Sequence, residues 1–349
     1  MRRIINKLTL YFKMQEDNSS QEEIAEVWKQ IKHGIDKKKK RKVRQQYILI
    51  TTAAATFCGF VWIASQIYNQ SNSSNINEIA EKMLSQSQAS QEIQLIMSDK
   101  EIVNVQKGST IIYSQTGKIS INDEEISNKT DDVVYDQIIV PKGKYTHLIL
   151  ADGSSMHINA GTKVIFPKQF KKDKREIFVD GEVYLDVTPN KNAPFIVETS
   201  KFNVEVLGTS FDINAYSSST EHPEVVLVHG KVNIRSKTGT GLTLTPNNKA
   251  EITTDGTIKS SYVNAEDYVL WTKGIQSLDD EPLKKILERL SRYYGVTINC
   301  SDNIANIKIG GKVDLKGGIE NVLKRISITG RFVYFKQENS YLLKPEGNN

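Results

Sequence analysis

Apolar positions change their spacing along this chain, and each change announces a different kind of element. Near the N-terminus, Ser19 and Glu22 stand at capping-box spacing, and Ile24, Val27, Trp28 and Ile31 follow at i, i+3, i+4 and i+7. That spacing predicts a helix with one apolar stripe. Over residues 47–67 the apolar pattern becomes continuous: YILITTAAATFCGFVWIASQI contains no Asp, Glu, Lys or Arg. At ~1.5 Å per residue the segment reaches about 30 Å, the thickness of a bilayer's hydrocarbon core, so it predicts one transmembrane helix. Residues 69–77 (NQSNSSNIN) are polar and read as a flexible tether, after which Ile76, Ile79, Ala80, Met83 and Leu84 suggest a short helix. From Ile93 the spacing falls to two. Short β-branched runs alternate with turn signals at Thr116-Gly117, Asp152-Gly153, Asp180-Gly181, His229-Gly230 and Asp255-Gly256. Asp-Gly between alternating runs predicts a hairpin, because Gly takes the positive φ of a tight turn. An all-β domain, sandwich or solenoid, is therefore expected over 93–265.

Helical spacing returns after Trp271. Asp279-Asp280-Glu281-Pro282 reads as a helix start, with acids at the positive end of the dipole and Pro in the first turn. Leu283, Ile286, Leu287 and Leu290 make its buried face, and Gly295 ends it. VTINC and IKI read as strands, Ile319, Val322, Leu323 and Ile326 as a second amphipathic helix, and RFVYFK and SYLLK as closing strands. The order β-α-β-β-α-β-β describes a small α+β domain at 270–345.

Charge fixes the orientation of the apolar span. The run KKKKRKVR at 37–44 places seven positive charges immediately before it, whereas the far flank meets no charge until Glu78. By the positive-inside rule residues 1–46 are cytoplasmic and everything beyond the span lies outside, with 68–92 as a linker. A buried core helix would rarely carry so dense a cationic block beside it, a cleaved signal peptide would need a better site than Ile63-Ala64-Ser65, and bulky Phe57 argues against lipidation of Cys58. The formal net charge is +5. With the seven juxtamembrane charges set aside the bases and acids nearly balance, so the excess belongs to the membrane surface and gives no reason to expect direct nucleic-acid binding. Cys58 in the span and Cys300 far outside it cannot pair.

A cytoplasmic segment of this length is below the ~60 residues that usually fold alone, so the stripe of Ile24, Val27, Trp28 and Ile31 needs a partner. A helix lying on the inner leaflet is the alternative, although Glu22, Glu23 and Glu26 would be repelled by anionic lipid. Chemistry-bearing motifs do not appear. His33, His147, His157, His222 and His229 are scattered without metal-ligand spacing, and there is no nucleophile elbow, phosphate loop or dinucleotide fingerprint. His147 and His157 flank one predicted hairpin, where solvated imidazoles are the ordinary outcome. The sequence thus gives no cofactor, no metal site and no enzyme active site.

The β region resembles the FecR family of single-pass anti-sigma regulators. Val140-Pro-Lys-Gly-Lys-Tyr is similar to its opening motif, LADGSSMHINAGTKVIFP and REIFVDGEVYLDV to its Asp-Gly hairpins, and PFIVETSKFNVEVLGTSFDINAY and VVLVHGKVNI follow in the family's order. The stretch from Trp271 to Lys344 resembles the C-terminal domain of a large branch of that family, itself like the short signalling domain of outer-membrane receptors. The resemblance implies a protein in a bacterial inner membrane with its N-terminus in the cytoplasm and its C-terminus in the periplasm. It implies a cytoplasmic segment that holds an extracytoplasmic-function sigma factor, and a periplasmic part that reads a TonB-dependent outer-membrane receptor through that receptor's signalling domain. The sigma contact is expected at Ile24, Val27, Trp28 and Ile31. A membrane-anchored carbohydrate-binding or enzymatic β protein is the alternative, and it requires a concave aromatic or paired-carboxylate site.

Some relatives of that family cleave themselves at a Gly-Thr bond in the motif matched here by Val206-Leu207-Gly208-Thr209-Ser210-Phe211. Gly208 allows a strained peptide, and Thr209 places its hydroxyl beside the carbonyl it would attack. The ordinary expectation for the pair is a glycine bulge between two strands, with Thr209 a strand residue.

Overall fold

In the computed structural model the residues described are 2–16, 22, 25–30, 32–33, 76–86, 90–127 and 135–347. They fall into two units, 1–74 and 75–349. In the first, helix α1 (Arg2–Glu16) precedes a helical stretch at 25–30 and 32–33. No helix among the described residues is long and apolar enough to cross a membrane, and the span expected at 47–67 lies outside them.

The second unit begins with α2 (Ile76–Gln86), whose Ile76 and Ala80 are fully buried against Ile165 and Phe178. The apolar stripe seen in sequence is thus docked onto the β region. The chain then lays down two facing sheets in alternation. It begins in the first sheet with β1 (Ile93–Ile96) and β2 (Ile102–Val105), and crosses to the second for β3 (Thr110–Tyr113), β4 (Ile119–Ile121) and β5 (Glu124–Ser127). It returns for β6 (Tyr135–Ile139), crosses for the hairpin of β7 (Thr146–Ile149) and β8 (Ser155–Ile158), and returns again for β9 (Lys163–Pro167). The long β10 (Arg175–Asp186) belongs to both sheets. Two-strand steps follow: β11 (Phe195–Glu198) and β12 (Phe202–Val206) in the first sheet, β13 (Ser210–Ala215) and β14 (Glu224–His229) in the second, β15 (Val232–Ser236) and β16 (Gly241–Leu244) in the first, β17 (Asn248–Ile252) and β18 (Ile258–Tyr262) in the second. The result is a sandwich whose single core draws Val164, Phe166, Phe195, Phe202 and Val204 from one sheet and Leu148, Val183, Leu185, Phe211 and Ile213 from the other. Burying one such Phe stabilises the fold by roughly 1.5–3 kcal/mol.

Three of the turn signals make hairpins as expected, with Gly117, Gly153 and Gly256 at φ of 81°, 83° and 83°. Two do not. At Asp180-Gly181 the strand runs on: residues up to Asp180 pair with β9 and β11, and those from Gly181 pair with β8 and β13. Gly181 has φ 138°, and a Cβ there would meet Thr162 Oγ1 at 2.4 Å. Glycine is needed because the strand bends from one sheet to the other against a neighbouring backbone. His229-Gly230 likewise joins β14 of the second sheet to β15 of the first, with no pairing between them.

Beyond the sandwich come α3 (Ala265–Tyr268), a 3-10 turn (Leu270–Lys273), β19 (Ile275–Pro282), α4 (Leu283–Tyr294), β20 (Thr297–Cys300), α5 (Asp302–Ala305), β21 (Lys308–Asp314), α6 (Ile319–Gly330), β22 (Phe332–Gln337) and β23 (Ser340–Pro345). The order read from sequence recurs with the short α5 added. β19 pairs with β21, and β23 lies between β20 and β22. Leu283, Ile286, Leu287 and Leu290 are buried against Ile319, Val322 and Leu323. The helix start differs from expectation. Asp279 to Pro282 belong to β19, across a bulge, with Glu281 opposite Ile309 and Pro282 opposite Lys308. The bulge puts Asp280 in the left-handed region at φ 46°, pairing with β21 claims Glu281 and Pro282, and the helix begins at Leu283, whose N–H donates to Ile307 O at 2.8 Å. Gly295 closes α4 in the left-handed region at φ 69°.

Candidate interaction surfaces

In the N-terminal unit, Val27 is half-buried and Trp28 is 47% exposed, its ring 5.2 Å from that of Tyr11 on α1. Ile24 and Ile31 lie outside the described residues. Helix α1 was not anticipated, yet its signal is in the sequence: Ile4, Ile5, Leu8, Tyr11 and Phe12 follow helical spacing. It leaves Ile5, Leu10 and Phe12 exposed at 52%, 50% and 60%. The two helical pieces thus share an aromatic contact while large apolar side chains of both stay uncovered.

The Gly208-Thr209 bond lies between β12 and β13. Gly208 has φ 155°, and a Cβ on it would meet Cα of Pro189 at 2.6 Å. Thr209 is buried, and its hydroxyl donates to Lys231 O at 3.0 Å while its carbonyl accepts from Val187 N at 3.0 Å. Gly230 closes over the pair, since a Cβ there would stand 2.8 Å from Thr209 Oγ1. These contacts make a tight crossing of backbones. The hydroxyl's acceptor is a main-chain carbonyl, which cannot act as a titrating base.

The segment 264–274 and helix α4 are seated on the sandwich. Ala265 and Val269 pack with Val226 and Val228. The indole N–H of Trp271, itself 8% exposed, donates to Asp212 Oδ1 at 3.0 Å. Arg292 bonds Glu288 at 2.7 Å and lies 4.3 Å from the centre of the Tyr216 ring, and Ser219 donates to the same Glu288 oxygen at 2.8 Å. The Val140-Pro-Lys-Gly-Lys-Tyr motif finds its role here: Gly143, at φ 85°, donates its N–H to Arg292 O at 2.8 Å and abuts Gly295. A cleft of about 450 Å³ runs along this junction, lined by Glu182, Asp212, Glu221, Glu224, Lys249 and Arg289 among others. Burial raises the carboxyl of Asp212 well above its ordinary range, and the charge of Glu182 pushes it further, against the Trp271 hydrogen bond. Glu182 is raised by burial too, less the pull of Arg292 and the Asn159 amide, which donates at 2.6 Å.

On the far part of the chain, β22 is an edge strand, paired among the described residues with β23 alone. It exposes Val333 at 40% and Phe335 at 50%, and Ile328 on α6 is 79% exposed. His147 and His157 stand opposite each other across the β7–β8 hairpin with rings 4.5 Å apart. Burial lowers both imidazoles, so they are neutral at neutral pH, and among the described residues no third ligand joins them. Sequence reading placed this pair on one hairpin. It could not find the partnership of Trp271 with Asp212, which spans 59 residues and has no periodicity to betray it.

Residues 136–233 match the family described as FecR protein, and residues 276–343 match the one described as FecR, C-terminal. No curated protein matches the chain. Among solved structures it is similar to two crystal structures of a protein from Parabacteroides distasonis assigned as an anti-sigma factor, at 1.65 and 2.50 Å resolution. Identity is 30% and 29%, the matches cover 60% and 61% of this chain and 99% and 100% of those, and the TM-score is 0.57 for both. The motifs from Val140 to Asn233 and the α+β part from Gln276 to Leu343 fall within the matched residues, and the chain belongs to the FecR family.

Proposed function

We propose that the chain is a single-pass inner-membrane sigma regulator. Its N-terminal segment binds an extracytoplasmic-function sigma factor in the cytoplasm, residues 47–67 cross the membrane, and the region from 75 onward reads a TonB-dependent outer-membrane receptor in the periplasm. The observation that carries this reading beyond family membership is the uncovered apolar surface of the N-terminal unit, where Trp28, Ile5, Leu10 and Phe12 are exposed on pieces too short to bury them. An anionic lipid surface would suit Lys-rich faces, whereas an aromatic anchor with aliphatic neighbours suits a protein groove. At the other end, the edge strand β22 offers unpaired backbone groups beside Val333 and Phe335, which suits strand addition by an extended segment of the receptor's signalling domain.

Retention of a sigma factor by residues 1–46 tests the first half. Trp28→Ala should weaken that retention by at least ~2 kcal/mol, the scale of an aromatic hot spot, and change sigma-dependent transcription in cells. Unchanged reporter output at normal protein levels would rule the contact out.

A further inference from the structure

Trp271 also lines a second cavity, of about 420 Å³, with a character opposite to that of the acidic cleft. Tyr145, His147 and His157 reach it from the β7–β8 hairpin and the turn before it, and Tyr293 from α4. Lys273 and Lys316 supply its charge, and among the described residues no Asp or Glu lines it. Both lysines line the same cavity, and the Lys316 side chain lies beside the residue after Lys273: a Cβ on Gly274 would stand 3.0 Å from Lys316 Cε. Asp314 acts on Tyr293 electrostatically but does not line the cavity. Within the described residues the imidazoles of His147 and His157, the hydroxyls of Tyr145 and Tyr293, and the ammonium groups of Lys273 and Lys316 make no hydrogen bond or ion pair. Outside the cavity, Lys107 lies 5.3 Å from the Tyr145 ring, extending the cationic rim.

A pocket of this size falls within the range of about 300–1,000 Å³ typical of small-molecule sites, in which aromatic walls hold a ring and a few polar groups fix its orientation. Aromatic faces accept either a planar ring or the C–H face of a sugar. Two cations without a counter-carboxylate ask for an anion. We propose that this cavity binds a small organic anion in which a carboxylate is carried on a ring, with the ring against Tyr145, Tyr293 and the paired imidazoles and the carboxylate against Lys273 and Lys316. Because its walls come from both the sandwich and the segment after it, occupancy would tie the two together and stabilise the folded chain in proportion to ligand concentration. This inference does not depend on the sigma-regulator reading, because its assay reads no sigma contact.

The test uses the purified full chain with glucuronate and 4-hydroxybenzoate as probes, and glucose and phenol as their neutral counterparts, followed by calorimetry and saturation-transfer NMR. At least one anion should bind about tenfold or more tightly than its neutral counterpart, and the Lys273→Gln/Lys316→Gln chain should lose about tenfold in affinity for it, while Lys259→Gln changes nothing. Glucuronate alone would identify a sugar acid, 4-hydroxybenzoate alone an aromatic acid, and both the shared class. Absence of binding by either anion up to ~10 mM, or neutral compounds binding as well as the anions, would overturn the proposal. Undiminished affinity in the double variant would overturn it equally. Should that variant fail to fold, the comparison of anions with neutral compounds on the natural chain still decides.

Discussion

Asp212 shows how one side chain couples the sandwich to the part seated on it. Its carboxyl is buried and accepts from the Trp271 indole, yet burial and the neighbouring Glu182 favour its protonated form. A carboxyl raised in the folded state binds its proton more tightly there than in the unfolded chain, so stability is greatest at low pH and falls as pH rises above the ordinary value of 3.8 towards the raised one. Asp212→Asn keeps an oxygen for the indole and removes the titration. Denaturant unfolding between about pH 4 and pH 8 should therefore show a flatter pH profile for the variant and a higher stability near neutrality. A profile parallel to that of the natural chain would refute the assignment. Asp212→Ala, which orphans the buried indole N–H, should instead cost about 1–3 kcal/mol. At Gly208-Thr209 the crowding favours a structural role. Gly208→Ala would force a Cβ into Pro189 at a φ of 155° and should destabilise by about 1–3 kcal/mol through overpacking alone. Self-cleavage remains separately testable by blotting the outer domain from cells. Two fragments joining at Thr209, merged by Thr209→Ala and kept by Thr209→Ser, would establish it, and one full-length band in signalling cells would leave the pair structural.

Elements were legible in sequence where the determinant is local. The hairpins at Asp152-Gly153 and Asp255-Gly256 carry their own side-chain locks, Asp152 accepting from Ser154 N at 3.0 Å and Asp255 from Thr257 N at 3.1 Å. Asp180-Gly181 uses the same dipeptide for a bend, because what decides there is Thr162 in the turn before β9, and nothing near Gly181 in sequence reports it. The acids before Pro282 misled for a similar reason: Glu281 is paired with β21, some thirty residues on, and Asp279 and Asp280 are taken up by the bulge before it. The stripe of Leu283, Ile286, Leu287 and Leu290 was readable because helical burial repeats every turn. For the candidate sites, the His147 and His157 pairing follows from the hairpin, whereas the approach of Lys316 to Gly274 depends on how β21 returns alongside β19. The same edge logic gives a test for β22. Val333 and Phe335 are two apart and so share one face of an edge strand, each more than a third exposed. Val333→Glu and Phe335→Glu should each shift stability by no more than ~0.5 kcal/mol, as exposed changes do, while reducing capture of the receptor's signalling domain at least about tenfold. Capture undiminished in both variants would remove β22 as the docking edge.

At the scale of the whole molecule, the region from 75 onward is a sandwich with an α+β part seated on it through buried contacts. Trp271 and Arg292 are both largely buried at the junction, and Gly143 and Gly295 approach so closely that a Cβ on Gly295 would stand 3.1 Å from Lys142 O. Such a seat favours the two parts responding as one body, so the α+β part would report receptor contact through the sandwich it rests on. Its removal is then the informative deletion, and the structure says where to cut. Deleting from Trp271 onward would strip the indole from Asp212 and leave that buried carboxyl without its donor, confounding lost signalling with a damaged sandwich. A chain ending after Gly274 keeps α3 and the 3-10 turn in place and removes β19 onward. This shortened chain should accumulate normally, retain the sigma factor through its N-terminal segment, and fail to respond to the inducer. Reporter transcription with and without inducer, read beside sigma co-purification, separates the outcomes. Induction surviving the deletion would show that the receptor is read by the sandwich itself. Loss of sigma binding as well would show that the seated domain is needed further down the chain than a docking role requires.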